Sequence, residues 1–275
     1  MHGGYCDEPE YSKKAQRRQE LEMSNTRMLF QRALSDESLT LALPAERNLR
    51  PRTLEVLSFA GMQTDSVNER AGIRAIEDVD GFSSALFLRQ PDIIRLVQSG
   101  RLPAGLVGMD ALMERLACAY VNNETSPDLF LAAQLHYGNA GFGPAPRIVL
   151  FTKKNSWIDS RAKFMRRFRD RRLLVASEFP KITRGFFRSN GVDGIPVRSY
   201  GATEALVASG LYVAGVCIAE TRRTLDDNGL VEIESIGRAP VVLIVNRTFL
   251  GLNGATPVIE RLARRLTRAV ESLTV

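Results

Sequence analysis

Gly215-Val-Cys-Ile-Ala-Glu-Thr-Arg-Arg-Thr-Leu-Asp-Asp-Asn-Gly-Leu230 changes character three times within one short stretch. Its first part continues an apolar run, Val213 to Ala219, that reads as a buried strand ending at a pocket. Thr221-Arg-Arg-Thr224 then sets two hydroxyls around two guanidiniums, a combination suited to an anion. Asn228-Gly229 is a turn signal, and Val231-Glu-Ile-Glu-Ser-Ile236 is a second run rich in β-branched residues. A strand that hands its loop to a ligand is the working unit of an α/β protein.

The same alternation extends in both directions. Downstream, Val241-Val-Leu-Ile-Val245 reads as a strand. Thr256 to Leu273 reads as an amphipathic helix with Arg261, Arg264, Arg265 and Arg268 outward. Upstream, Leu39-Thr-Leu-Ala-Leu-Pro44 is a buried-strand pattern stopped by proline, and Thr53 to Ala60 a helix stopped by Gly61. Ser84 to Leu88 is a short strand, after which Asp92 is expected to cap a helix that Gly100 ends. Ala104-Gly-Leu-Val-Gly108 is another strand, with Asp110 expected to cap its helix. A second series begins at Arg147-Ile-Val-Leu-Phe151 and continues through strands at 173–176 and 195–200 and helices at 180–190 and 203–209. Strands alternating with helices predict mostly parallel sheets with flanking helices. Residues 121–146 carry no such pattern, and residues 1–37, polar and charge-rich, read as an extension outside the core.

Composition narrows the function classes. A chain of 275 residues accommodates one large α/β unit or two lobes. No apolar run approaches the roughly 18 residues that span a bilayer, and the first residues lack the basic-then-apolar order of a signal peptide. A cytoplasmic setting with no membrane partner is therefore expected. Cys6, Cys118 and Cys217 are odd in number and far apart, which argues against a disulfide framework. His2 and His136 are too few for a histidine zinc site. The net charge of +6 suits an anionic small molecule better than nucleic acid, since no RNA-binding motif accompanies it. The one concentrated basic segment, Arg161 to Arg172, would place Phe164 and Phe168 on one helix face with arginines elsewhere. Such a segment is a solvated face or a contact for an acidic partner.

Six segments, in order over residues 39–252, resemble the catalytic part of the ATP phosphoribosyltransferase family. They are Leu41-Ala-Leu-Pro44, Phe87-Leu-Arg-Gln-Pro-Asp-Ile93, Gly105-Leu-Val-Gly-Met-Asp110, Glu178-Phe-Pro-Lys-Ile-Thr-Arg-Gly-Phe-Phe187, Tyr200-Gly-Ala-Thr-Glu204 and Thr224-Leu-Asp-Asp-Asn-Gly-Leu230. The resemblance implies two α/β lobes hinged around a cleft, like the type II periplasmic binding proteins. It places the first part of lobe I at 38–140, lobe II at 141–232, and the return to lobe I with the C-terminal helix at 233–275. It is similar to the short form of the enzyme, which implies a homodimer or higher oligomer and a separate regulatory subunit. The implied reaction transfers a phosphoribosyl group from phosphoribosyl pyrophosphate to ATP or a related acceptor, with Mg²⁺ carried by a phosphate ligand.

The residues implied to bind substrate are Arg47, Arg70, Arg89, Arg184, Glu204, Thr221, Arg222, Arg223 and Thr224. No catalytic residue and no protein metal ligand is assigned. Several positions depart from the family pattern. Cys217 stands where the phosphosugar loop has an aspartate, Arg222 where it has a glycine, and Val213 where it has a second aspartate. Ala45-Glu46-Arg47 replaces Lys-Gly-Arg after the first strand. A thiol cannot accept two ribose hydroxyls, and an arginine resists the positive φ that glycine allows. Two other functions follow from these departures. One is a repurposed enzyme acting on a different anionic molecule, with Arg222 and Arg223 as side-chain clamps; the other is a non-catalytic sensor or regulatory homologue.

Overall fold

The structure, a computed structural model, describes residues 8–64, 72–77, 81–117, 126–138, 141–154, 158, 160–169, 171–219 and 223–274. Two sheets divide the strands. The first contains β1 (Leu39–Pro44), β2 (Gln63–Thr64), β3 (Ile73–Glu77), β4 (Phe82–Leu88), β5 (Ala104–Gly108), β6 (Leu129–Leu135) and the late β12 (Val241–Asn246). The second contains β7 (Arg147–Lys153), β8 (Leu173–Ser177), β9 (Gly194–Arg198), β10 (Ala214–Ala219) and β11 (Leu230–Arg238). Helices α1 (Glu8–Ser35), α2 (Leu49–Phe59), α3 (Gln90–Gln98), α4 (Met109–Leu116), α9 (Arg247–Leu250) and α10 (Ala255–Leu273) accompany the first sheet in sequence. Helices α5 (Arg161–Phe168), α6 (Pro180–Ser189), α7 (Thr203–Ala208) and α8 (Arg223–Asp227) fall among the strands of the second.

The sheets are mixed, which corrects the expectation of mostly parallel ones. The first runs β2-β3-β4-β1-β5-β12-β6, with only β4-β1 and β1-β5 parallel. The second runs β11-β7-β10-β8-β9, with β10-β8 and β8-β9 parallel and the β7 pairings antiparallel. Two features are responsible: β2, β3 and β4 are successive antiparallel neighbours, and the chain crosses between the sheets twice. It leaves the first sheet after β6, builds the second, and returns as β12, so the crossing strands lie antiparallel to neighbours in each sheet. The two crossings are tied together: Ala239 N–H donates to the Pro146 carbonyl at 2.7 Å. Met109 N–H donates to the Pro240 carbonyl at 2.8 Å.

Strand alternation divides the core. Leu41 and Leu43 of β1 face one side with Leu243 and Val245 of β12, under α2 and α10. Ala42, Val107, Val242 and Ile244 face the other, where α3 and α4 meet Ile148, Leu150, Phe164 and Phe187 from the second half of the chain. That cluster is continuous across both sheets. Phe164 and Phe168 lie on the buried face of α5, as the spacing predicts, with ring centroids 5.0 Å apart. The basic remainder of α5 is partly used internally, since Arg161 pairs with Glu234 at 2.7 Å.

Four local expectations change. Strands β3 and β6 lie where no strand was expected, because Leu129-Phe-Leu-Ala-Ala-Gln-Leu135 has neither alternation nor β-branching and is recruited by pairing with β12. Helix α3 begins at Gln90, two residues before Asp92, with Pro91 in its first turn, where a missing N–H costs nothing. Likewise Gly108, not Asp110, caps α4. Arg265 does not point outward: its Nε donates to the Ala60 carbonyl at 2.9 Å and closes the C-terminal end of α2. The N-terminal segment is a 28-residue helix, and Phe30 near its end is buried against Phe249. Its last turns therefore belong to the core. Among the described residues no helix is long and apolar enough to cross a membrane.

Close packing leaves no room for a methyl group at Gly215 of β10, where an added Cβ would lie 2.4 Å from the Phe151 ring. Gly215→Ala should destabilise the protein by about 1–3 kcal/mol through overpacking. Urea unfolding checks this, with Val241→Ala as a cavity-forming comparison.

Candidate functional site

The ends of the parallel strands supply the site. Pro44 and Leu88 are register partners at the ends of β1 and β4, so Glu46, Arg47, Arg89 and Gln90 are brought side by side. Arg47 and Arg89 are exposed there. Glu46 Oε1 accepts the Gln90 backbone N–H at 3.0 Å, at the start of α3. Gln90 Oε1 accepts the Gly108 backbone N–H at the end of β5. A Cβ on Gly108 would clash with the Asp110 carboxylate at 2.2 Å, so this close approach needs glycine. Asp110, in the first turn of α4, has its pKa pushed up to about 6 by burial, aided by repulsion from Glu46 and opposed by hydrogen bonds from backbone amides.

The second sheet answers with Glu178, directly after β8. Burial first, then the negative charges of Glu204 and Asp110, raise its pKa to about 7, against a hydrogen bond from Thr203. Thr203 Oγ1 donates to Glu178 Oε1 at 3.4 Å and is itself bonded to the Ser199 hydroxyl. Glu204, on α7, accepts the Cys217 thiol proton, with Sγ 3.6 Å from Oε1. Cys217 is buried, and desolvation with the charges of Glu204 and Glu178 raises its pKa, so it remains a thiol. It is no nucleophile.

Helix α4 joins the halves. Asp110 and Glu114 lie four residues apart on one face of it. Glu114 accepts N–H groups from Lys181 at 3.0 Å and Ile182 at 3.1 Å, in the first turn of α6. It also accepts from Arg198 Nη2 at 3.0 Å, and its side chain is only 15% exposed. A carboxylate at a helix N-terminus with an arginine beside it is a strong anchor. It holds the start of α6, and with it Glu178, against α4.

Of the residues expected to bind substrate, Arg47, Arg89 and Glu204 lie at these strand ends. Arg184 is exposed on α6 and borders a separate groove with Arg188 and Asp193 near the C-terminal end of that helix. Arg223 and Thr224 open the short helix α8 that follows β10. Arg70, Thr221 and Arg222 lie outside the described residues. Sequence reading missed Gln90, Glu114 and Glu178 as site residues. Glu178 and Gln90 had a signal, since each follows a strand end within two residues, as Glu46 does. Glu114 had none, because its partners are some seventy residues away.

Residues 89–268 match the family model described as HisG, ATP phosphoribosyltransferase. The chain belongs to the ATP phosphoribosyltransferase family. It is 32% identical over 219 residues to an ATP phosphoribosyltransferase of Brucella ovis, covering 76% of this chain and 90% of that protein. It is 25% identical over 218 residues to one of Clostridium acetobutylicum, covering 79% and 90%. Among solved structures, the ATP phosphoribosyl transferase (HisG:HisZ) complex from Thermotoga maritima is similar, with a TM-score of 0.60 and 23% identity over 85% of this chain and 99% of that one. Within this ATP phosphoribosyltransferase family member, the thiol of Cys217 faces a glutamate, and the first-sheet strand ends are lined by carboxyl groups.

The two raised carboxyl pKa values carry a sign. The stability that protonated Glu178 and Asp110 contribute is full below their unfolded values of 4.5 and 3.8, and it is lost as pH rises through about 7 and about 6. Glu178→Gln should therefore be more stable than the parent at pH 8, by ~1 kcal/mol or about 2–4 °C in Tm, and equal to it near pH 4. Differential scanning calorimetry of both proteins across pH 4–8 reads the difference.

Proposed function

We propose that the chain is a phosphoribosyl-transferring enzyme. It binds phosphoribosyl pyrophosphate at the connection between β10 and α8, and transfers the phosphoribosyl group to ATP or a related acceptor with release of pyrophosphate. The observation that supports this best is the meeting of strand ends from both sheets, at Asp110 and Glu178, within the segment that follows the family. Ligands of open α/β sheets bind at such ends. Glu204 supplies the carboxylate for the ribose hydroxyls that Cys217 cannot supply. Arg223 and Thr224, with Thr221 and Arg222, are proposed for the 5′-phosphate, and Arg47, Arg70 and Arg89 for the remaining charge.

Departure of pyrophosphate from an oxocarbenium-like ribose needs cations. Among the described residues no group of three or more histidine, cysteine or carboxylate side chains is placed to hold a metal. In this reading Mg²⁺ arrives on the polyphosphate of the ligand. The reading includes two lobes closing around the cleft in the type II periplasmic-binding-protein manner, with residues 38–140 and 233–275 in one and 141–232 in the other. It also includes self-association, a separate regulatory subunit and a cytoplasmic setting; the similar Thermotoga maritima protein is in a HisG:HisZ complex.

A second reading, action on a different anionic molecule, is favoured by one feature: Glu46 occupies the start of α3, where a phosphate would otherwise be attractive. Titration calorimetry with phosphoribosyl pyrophosphate and Mg²⁺ separates the two. The first reading expects a Kd on the order of 1 μM to 1 mM. It also expects about tenfold weaker binding by Glu204→Gln, a loss of ~1.4 kcal/mol. Absence of binding at millimolar ligand would leave the second reading.

A further inference from the structure

The strand ends of the second sheet place two carboxyl groups beside one thiol. β8 and β10 run parallel with Ser177 opposite Val216, and the Glu178 N–H donates to the Val216 carbonyl at 3.1 Å, one step beyond β8. The next pair across in this register is Glu178 and Cys217. Register partners on neighbouring strands stand about 4.8 Å apart and project from the same face of a sheet. Here that face is met by the first turn of α7. Its Thr203 Oγ1 donates to Glu178 Oε1 at 3.4 Å, and its Glu204 Oε1 accepts the Cys217 thiol proton at 3.6 Å.

Access separates the three groups. Cys217 is 1% exposed, whereas Glu178 and Glu204 are only partly buried. A ligand at these strand ends therefore meets two carboxyl groups and not the thiol. The neighbouring hydroxyls of a ribose are donors that suit such a pair of acceptors. Cys217 is already directed to Glu204, and sulfur is a weak acceptor. A carboxylate at position 217 would add a third negative charge beside Glu204 and Glu178, whose charges already oppose ionisation of the thiol.

We propose that, relative to the family pattern, the sugar-binding carboxyl has moved one strand across: Glu178, together with Glu204, receives the ribose hydroxyls, and residue 217 is a thiol because it donates to Glu204 where a third carboxylate would be repelled. The inference rests on the phosphoribosyl-transfer reading and adds Glu178 to the residues that recognise the sugar.

The test uses ribose 5-phosphate and 2-deoxyribose 5-phosphate, which differ by one hydroxyl. Both are titrated by calorimetry as competitors of phosphoribosyl pyrophosphate with Mg²⁺, on the full chain and on the variants Glu178→Gln and Cys217→Asp. Glu178→Gln keeps the size of the side chain and one acceptor oxygen, and thermal melts check that each variant folds. The parent should prefer ribose 5-phosphate by about tenfold, the worth of one hydrogen bond to a charged acceptor. Glu178→Gln should lose most of that preference, whereas a merely structural role would weaken both sugars alike. Cys217→Asp should bind phosphoribosyl pyrophosphate about tenfold more weakly than the parent, through repulsion at the crowded strand ends. A parent without the preference, a Glu178→Gln chain that keeps it, or a Cys217→Asp chain that binds at least as tightly as the parent would each overturn the proposal. If Cys217→Asp does not fold, the Glu178→Gln comparison decides alone. Phosphoribosyl pyrophosphate separates the two levels. Its binding with no change in sugar preference removes only the role of Glu178, whereas its failure to bind the parent and both variants removes the reading beneath.

Discussion

The strand β12, Val241 to Asn246, is buried along its whole length and pairs antiparallel with β5 on one side and β6 on the other. The first sheet is incomplete until this strand arrives, after the chain has already built the second. The placement of the strand-end residues depends on that return. It fixes β5, from which α4 springs, and the Met109 N–H is held by Pro240 just before β12 begins. Pairings this distant in sequence carry a loop-closure cost that the apolar burial they complete must offset. The core cluster beneath β12 spans both sheets, and the position of one relative to the other is therefore a packing result.

With the sheets so placed, carboxyl groups meet across the gap, and they divide by environment. Glu46 and Glu114 lie against opening turns of helices, where they accept backbone N–H groups. Asp110 and Glu178 are raised above the usual carboxylate range by burial first, with the charge of Glu46 adding to Asp110 and those of Glu204 and Asp110 adding to Glu178. The buried thiol of Cys217 donates to Glu204 instead of ionising. The overall charge of +6 gives no hint of this. The arginines are mostly on the outside: on the rim at Arg47 and Arg89, on α6 at Arg184, and in the exposed ion pairs Arg95–Asp92 and Arg264–Glu260. An electrostatic reading from composition predicts a generic attraction for anions, while the local field at the strand ends favours hydrogen-bond donors.

Family membership and this local chemistry bear on different links of the argument. The first carries the fold and the type of reaction across most of the chain. The second concerns which atoms the cleft can accept. Glu46, on the opening amide of α3, alters the chemistry at the strand end without changing the strand that presents it, and one fold hosts different functions through such local differences.

The sequence by itself determined the element types with strong local patterns. The largely apolar β1, β5 and β10, the spaced phenylalanines of α5 and the stripe of α10 were legible because burial imposes their pattern. Helix ends at Gly61 and Gly191 were legible because positive φ favours glycine. The strand-end positions of Arg47, Arg89 and Glu46 also followed from the chain alone. Only the tertiary structure decided that the sheets are mixed, since strand direction is set by the antiparallel run β2-β3-β4 and the double crossing and leaves no local trace. The same holds for β6, a weak strand held by its neighbour, and for Arg265, turned inward to close another helix. It holds most for the acids around Glu178 and for the hold of Glu114 on α6, because proton affinity and hydrogen bonding depend on close neighbours, and those come from distant parts of the chain.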